Sequence, residues 1–192
     1  MLEVAEFARL ARLAGVLAAL VLSVVPAYAD GFVTPFTGWN FGGDSLNCDS
    51  LTACHEKHTN FGMSIGTAGR VGGIEEDFSF AKNFYDTSTD NSVLTIMTNV
   101  RLSLPLGPIQ PYVVIGIGLI RPHASYNPAQ LITSKSDFGY DLGGGLTIMF
   151  GQSFGVRGDI RFFHTLQAVT LGIFNGAPLN FWRASVGLTF KD

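Results

Sequence analysis

Residues 154–162 alternate between two kinds of side chain with a period of two. The first set comprises Phe154, Val156, Gly158, Ile160 and Phe162, and the second comprises Gly155, Arg157, Asp159 and Arg161. Because successive side chains of a strand point to opposite faces, this pattern predicts a strand between two unlike environments. The alternation alone leaves open whether the apolar face lies in the core of a soluble sandwich or against the lipid around a membrane barrel.

Eight segments show strand patterns, so the sequence predicts an all-β chain. They span residues 31–42, 59–67, 71–81, 92–104, 110–121, 137–150, 154–164 and 179–190. The connections alternate between long polar loops, at 43–58, 82–91, 122–136 and 165–178, and short turns, at 68–70, 105–109 and 151–153. Long loops therefore collect at one end of the structure and tight turns at the other, as is typical of a bacterial outer-membrane barrel.

The composition of the polar faces indicates which side of the sheet faces inward. A solvated strand face normally carries several lysines, but the lysines of this chain lie in predicted loops or at the C-terminus: Lys57, Lys82, Lys135 and Lys191. The polar faces hold mainly small and neutral residues, which suit a narrow barrel interior. Aromatic residues near the predicted strand ends are typical of interfacial girdles; they are Tyr112, Tyr140, Phe150, Phe162 and Trp182. The apolar faces are therefore predicted to face lipid.

The N-terminal segment has the features of an export signal. Residues 13–25 form an apolar run too short to span a bilayer as a helix, and residues 26–29 end in the small-x-small pattern read by signal peptidase. The sequence therefore predicts a signal peptide over residues 1–29 and a barrel domain over residues 30–192, with an uncleaved anchor as the alternative. The net charge of −3 offers no basic surface for a nucleic acid.

Three segments, at residues 139–145, 154–162 and 186–190, resemble the small outer-membrane β-barrel domain family, whose OmpA/OmpX-like members are eight-stranded. The likeness covers residues 31–190. It implies an eight-stranded antiparallel up-and-down transmembrane β-barrel in the outer membrane of a Gram-negative bacterium. It also implies contact with outer-membrane lipid and lipopolysaccharide, and insertion by the barrel-assembly machinery. Family members usually end on an aromatic residue, whereas this chain ends Phe190-Lys191-Asp192, a departure that bears on insertion.

By this register eight charged residues face the barrel interior, four acids and four bases. They are Glu75, Asp77, Arg101, Asp141, Arg157, Asp159, Arg161 and Arg183. In an interior wide enough only for side chains such groups must pair, because an unpaired buried charge is very costly. The sequence predicts a salt-bridge network that fills the barrel, with a narrow or gated pore as the alternative. Strict alternation places Glu76 on the lipid face, so either this residue lies near the membrane interface or a bulge at Gly72-Gly73 shifts the register.

Both cysteines, Cys48 and Cys54, lie in the first long loop. In an exported chain this spacing predicts a disulfide that closes a short loop. The alternative is a zinc site in which the two cysteines join His55 and His58. The sequence otherwise contains no nucleotide, phosphate or metal-hydrolase motif, so no cofactor and no structural metal is predicted.

The predicted function is non-enzymatic: a structural role in the envelope, with the outside loops presented for adhesion or for binding an extracellular ligand. The first loop and Phe174 in the fourth loop are the predicted contact surface. A small-solute channel is the alternative.

Two further alternatives involve different chemistry. One type of lipid A deacylase carries a His-x-Ser arrangement near the lipid face, and His123 and Ser125 have this spacing, with Asp137 or Asp141 in place of an orienting glutamate. Pro122, however, predicts that a loop begins here and that His123 is a loop residue. The last alternative is a soluble lipocalin-like barrel, which would need an apolar interior and a polar exterior.

Overall fold

The computed structural model describes residues 30–43, 59–69, 71–82, 84, 90–126, 131–134, 136–168 and 178–192. The strands in these ranges are β1 Asp30–Phe41, β2 Thr59–Ala68, β3 Gly72–Lys82, β4 Asp90–Ser103, β5 Ile109–Tyr126, β6 Leu131–Ser134, β7 Asp137–Met149, β8 Phe154–Ala168 and β9 Pro178–Lys191. Within the described ranges no helix is long and apolar enough to cross a membrane. The predicted signal peptide and both cysteines lie outside them.

Eight of the strands form a closed antiparallel ring. Each pairs with its neighbour in the order β1, β2, β3, β4, β5, β7, β8 and β9, and β9 pairs with β1 to close the barrel. The short strand β6 pairs with the end of β5, from His123↔Ser134 to Tyr126↔Leu131, and extends the wall beyond the ring. The predicted eight-stranded up-and-down barrel is confirmed.

The predicted strand bounds agree with the structure to within two residues except at two ends. β5 continues to Tyr126 and β8 to Ala168, whereas the sequence pattern ended these strands at residues 121 and 164. The prediction of a loop from Pro122 was therefore wrong, and His123 lies on a strand. Pro122 pairs with Val93 on β4, and the ladder continues to Asp90↔Ser125.

The outer wall of the barrel is apolar. On β5, Val113, Ile115 and Ile117 are 56%, 60% and 68% exposed, whereas Tyr112 and Val114, which alternate with them, are 4% and 1% exposed. Polar and charged side chains fill much of the interior instead. This arrangement is the reverse of a lipocalin, so the soluble alternative was wrong.

Aromatic side chains cluster on the outer wall near both ends of the strands. Phe154 lies 6.1 Å from Phe150 and 5.7 Å from Phe190 (ring centroids) at the end with the short turns. Phe162 and Trp182 are 5.2 Å apart at the end with the long loops. Tyr112 was wrongly placed in these girdles, because its side chain points into the barrel.

Glu76 points to the outer wall, as strict alternation predicts. The β2–β3 ladder runs without a register shift from Ala68↔Gly73 to Asn60↔Ala81, and the β3–β4 ladder is equally regular. The bulge considered at Gly72-Gly73 is therefore absent.

Candidate functional site

The register of the barrel brings all eight predicted interior charges into one connected network inside the lumen. β3 contributes Glu75 and Asp77, β4 Arg101, β7 Asp141, β8 Arg157, Asp159 and Arg161, and β9 Arg183. Each of them is 9% exposed or less. We call these eight residues, together with Tyr112, the charge layer.

Glu75 is the acceptor at which three arginines meet. Arg157 donates to it through both terminal nitrogens, at 2.8 Å to Oε2 and 3.0 Å to Oε1. Arg161 donates to Oε1 at 2.5 Å, and Arg101 lies 3.6 Å from Oε2. A bidentate arginine fixes the orientation of a carboxylate as well as balancing its charge. Glu75 thus ties β3 to β4 and, across the lumen, to β8.

Asp77 makes the second bidentate pair. Arg183 donates to its two oxygens at 2.8 and 3.0 Å, and the hydroxyl of Ser64 donates to Oδ2 at 3.0 Å. The guanidinium of Arg183 lies 4.7 Å from the ring centre of Phe36 and 4.9 Å from that of Phe163. Aromatic faces attract cations most strongly where water is excluded, so these rings stabilise the guanidinium together with Asp77 and with Asp159, whose Oδ1 lies 4.0 Å away.

Arg161 spans the middle of the lumen. Its Nε donates to Asp159 Oδ1 at 2.8 Å, and its terminal nitrogens reach Glu75 on β3 and Asp141 on β7, the latter at 3.3 Å. Asn99 is buried beside Asp141, and the amide orientation that best satisfies hydrogen bonding puts its nitrogen 2.9 Å from both carboxylate oxygens. A single side chain therefore connects three strands of the barrel.

Tyr112 is the residue of this layer that the sequence analysis did not assign to it. Its hydroxyl donates to Asp159 Oδ2 at 2.5 Å and accepts from Arg157 Nε at 2.6 Å. The guanidinium carbon of Arg101 lies 4.0 Å from the centre of its ring. The signal was present in the sequence, because Tyr112 alternates with Val113 and therefore shares the inward face.

Gly145 makes room for this tyrosine. It pairs with Tyr112 on β5 and with Asp159 on β8, so the three residues form one row across the wall. A side chain at Gly145 would collide with the phenol of Tyr112 and with the carbonyl oxygen of Gly158. The missing side chain lets the tyrosine lie across β7 and reach Asp159.

An apolar cluster fills the lumen on the side of the long loops. Its members are Ala81, Phe84, Val93, Met97, Ile120, Phe163, Leu179 and Phe181. The ring of Phe181 stacks on Phe163 at 4.9 Å and meets Phe84 edge-on at 4.8 Å. Phe84 lies beyond the end of β3 and is 1% exposed, so its ring is buried within this cluster. We call this cluster the apolar plug.

The end with the short turns is more open. A cavity of about 260 Å³ there is lined by polar and apolar side chains, among them Phe32, Ser103, Thr147 and Lys191, and by Arg101 of the charge layer. Lys191 lies 3.5 Å from Asp30 at its edge. Beside Asp77 and Arg183 the free volume falls to about 10 Å³, about the smallest space that holds one water molecule.

Among the described side chains considered for deacylase chemistry, His123 and the two aspartates lie on opposite faces of the wall. His123 lies on the outer wall and is half-buried, whereas Asp137 and Asp141 are fully buried and face the interior. Asp141 is paired with Arg161. The side chain of Ser125 lies outside the described residues, as do Cys48 and Cys54, so the predicted disulfide and its zinc alternative stay predictions.

The comparisons with known proteins agree with this architecture. The family profile described as outer membrane protein beta-barrel domain matches residues 14–190. The crystal structure of Neisserial surface protein A (NspA) superposes with a TM-score of 0.63, at 14% identity, covering 84% of this chain and 97% of that chain. Outer membrane protein H (OprH) from P. aeruginosa gives a TM-score of 0.57 at 16% identity, covering 85% of this chain and 100% of that chain. Ail from Yersinia pestis, in complex with the heparin analogue sucrose octasulfate, gives 0.53 at 11% identity, covering 84% and 99%. Among curated proteins no match is found.

Proposed function

The chain belongs to the outer membrane protein beta-barrel domain family and is a barrel of the Gram-negative outer membrane, and on this premise we propose that it is a non-enzymatic surface protein whose outside loops carry a binding or adhesive role. The proposal includes export by residues 1–29, insertion by the barrel-assembly machinery, and a Cys48–Cys54 disulfide that pins the first loop. Lipopolysaccharide is the lipid expected around the outer half of the wall.

The observation that carries the proposal is the filled lumen. The charge layer joins opposite walls of the barrel, and the apolar plug lies above it on the side of the long loops. A solute would have to break charged hydrogen bonds and displace packed aromatic rings to pass. The filled lumen therefore disfavours the passage of solutes. The long loops are the remaining surface of the barrel that faces the outside.

The composition of the loops narrows the kind of ligand. Among the four long connections, at residues 42–58, 83–89, 127–136 and 169–177, there are four acidic residues against two lysines. Ail was solved with a sulfated heparin analogue. Loops with this charge repel a sulfated polyanion, so we expect a ligand that is neutral or basic where it meets the barrel.

Measurements of conductance and of cell-surface binding distinguish the proposed binding function from that of a channel. We expect the full-length protein to give no discrete conductance steps in planar bilayers, and cells that display it to bind a host-cell or matrix surface. Replacing residues 44–57 by a short Gly-Ser turn should abolish binding while the folded barrel still shows its heat-dependent gel mobility shift. Discrete steps that change in Arg157→Ala or Asp159→Ala would instead establish the channel.

A further inference from the structure

Glu76 occupies an unusual position on the outer wall. Its hydrogen-bond partner among the described residues is Thr98 on β4, whose hydroxyl donates to Oε2 at 3.0 Å. Thr98 faces Glu76 directly in the β3–β4 ladder. The side chains around the pair are apolar and exposed, namely Ile65, Phe78, Ile96 and Ile117. We call Glu76 and Thr98 the outer polar pair.

The outer polar pair lies well inside the apolar band of the wall. Glu76 is four residues from the start of β3 at Gly72 and six from its end at Lys82. With a rise of about 3.3 Å per residue and a strand tilt of about 40°, its Cα lies about 10 Å inside the short-turn end of the strand. The apolar band of such barrels is about 25 Å tall, so hydrocarbon rather than water surrounds this carboxyl group.

Lipid is a poor neighbour for such a pair. Hydrocarbon offers no hydrogen bond to a carboxyl oxygen, and a polar group there costs free energy unless another polar group covers it. Apolar side chains on the same wall gain nothing by leaving lipid for another apolar surface. The site on this wall where a second chain is favoured over lipid is therefore the outer polar pair.

We propose that the outer polar pair is the centre of a homodimer interface formed by β3 and β4. A second copy is the occupant that the geometry favours, because every copy inserts with the same orientation and so carries its own polar pair at the same depth. No other partner is guaranteed to match that depth.

Two-fold symmetry makes the contact self-complementary. When the axis runs along the membrane normal between β3 and β4, Glu76 of one copy faces the partner's Thr98, and Thr98 faces the partner's Glu76. The carboxyl groups then lie diagonally rather than directly opposite each other. The threonine hydroxyl of each copy can then donate to its own or to the partner's carboxyl oxygens, so the four polar groups cover one another from the lipid. Ile96 and Phe78 pack around these groups.

Energy transfer between labelled copies in lipid vesicles, measured over a series of protein-to-lipid ratios, tests the proposal. We expect the native chain to dimerise, and Glu76→Leu and Thr98→Val each to weaken association at least tenfold. Glu76→Gln should still associate, because an amide both donates and accepts. Thr37→Val, which removes an outer-wall hydroxyl from β1, is the matched control and should associate like the native chain.

Cross-linking locates the interface. In a Cys48→Ser/Cys54→Ser background, a thiol cross-linker should join copies that carry Ile96→Cys on β4, but not copies that carry Ile160→Cys on β8. Every variant is first required to show the heat-dependent mobility shift of a folded barrel. A native chain that stays monomeric at high protein-to-lipid ratio, Glu76→Leu that associates like the native chain, or cross-linking equal at both positions would each overturn the proposal.

Discussion

Glu75 and Glu76 are neighbours in sequence with opposite surroundings. Glu75 is fully buried and accepts from Arg157 and Arg161, whereas Glu76 lies on the outer wall with one hydrogen bond to Thr98. The same substitution at the two positions therefore separates the contribution of the charge layer from that of a carboxyl group as such. Substitution by glutamine suits this comparison, because glutamine has the shape of glutamate and differs only in carrying an amide nitrogen in place of one carboxyl oxygen.

We expect Glu75→Gln to lower the free energy of unfolding by about 3 kcal/mol, because it leaves buried guanidinium groups without their balancing charge. Glu76→Gln should change it by less than about 1 kcal/mol, since a polar residue on the lipid face remains polar. Urea unfolding in vesicles at low protein-to-lipid ratio, followed by tryptophan fluorescence, measures both. Equal losses in the two variants would contradict the structural role assigned to the charge layer.

The sequence predicts the facing of these residues because strand alternation has no exception along β3 and β8. It does not predict which acid meets which arginine. Those partners lie up to 106 positions apart, as Asp77 and Arg183 do, and are set by barrel closure rather than by local pattern. Tyr112 was wrongly assigned to the interfacial girdle because it lies near a strand end. Its position in the alternation of β5 places it on the inward face.

At the scale of one strand, β7 shows how missing side chains shape the interior. Gly145 lies under the ring of Tyr112, whereas Gly158, on the neighbouring strand β8, has no atom within 4 Å of the position a Cβ would take. On adjacent strands, the space that a side chain would need is therefore occupied at Gly145 and free at Gly158. Leu146, next to Gly145, pairs with Gly158.

We expect Gly145→Ala to destabilise the barrel by about 1–3 kcal/mol, because the new methyl group displaces Tyr112 from Asp159. Gly158→Ala should be neutral or stabilise by about 0.5–1 kcal/mol, since it restricts the unfolded chain without a collision. Unfolding midpoints of the two variants in the same vesicles provide the measurement. Gly145→Ala as stable as Gly158→Ala would mean that Tyr112 is not held in this row.

The strand bounds were predictable where the outer wall meets lipid and less so beyond it. Within the apolar band the outward residues must be hydrophobic, so alternation is strong, as from Val113 to Leu119. β5 and β8 continue past this band, and there polar residues such as His123 occupy the outer face. The contrast that marks a strand then disappears, and Pro122 reads as the start of a loop although the ladder continues.

At the scale of the whole barrel, two different groups of side chains close the lumen, one above the other. The charge layer holds by hydrogen bonds between fixed partners, and the apolar plug by packing of rings such as Phe84 and Phe181. Failure of one layer leaves the other in place. The closure of the lumen is therefore expected to survive substitutions that remove only the plug.

We expect Phe84→Ala/Phe181→Ala to lower stability by at least about 3 kcal/mol yet to give no discrete conductance in planar bilayers. The charge layer below still occupies the lumen. Phe150→Ala/Phe154→Ala, which removes two rings from the outer wall, is the control for the loss of aromatic residues. Conductance steps in the plug variant but not in the control would show that the charge layer is permeable.

The apolar plug is the part of the interior that the sequence analysis missed. Val93, Met97, Ile120 and Phe163 have the parity of the inward face, so the chain carried a signal that this face turns apolar near the long loops. The contribution of Phe84 had no such signal. It lies outside the strands, and only the three-dimensional closure of the ring brings it over Phe181.

The pairing of β1 with β9 has a consequence for the lifetime of the folded protein. In an open sheet an edge strand leaves by breaking one ladder, and unfolding can proceed strand by strand from that edge. Here every strand of the ring is held by two ladders, so the first to leave must break both at once. The barrier to unfolding is therefore high even where the equilibrium stability is modest, and persistence in the membrane is a matter of rate.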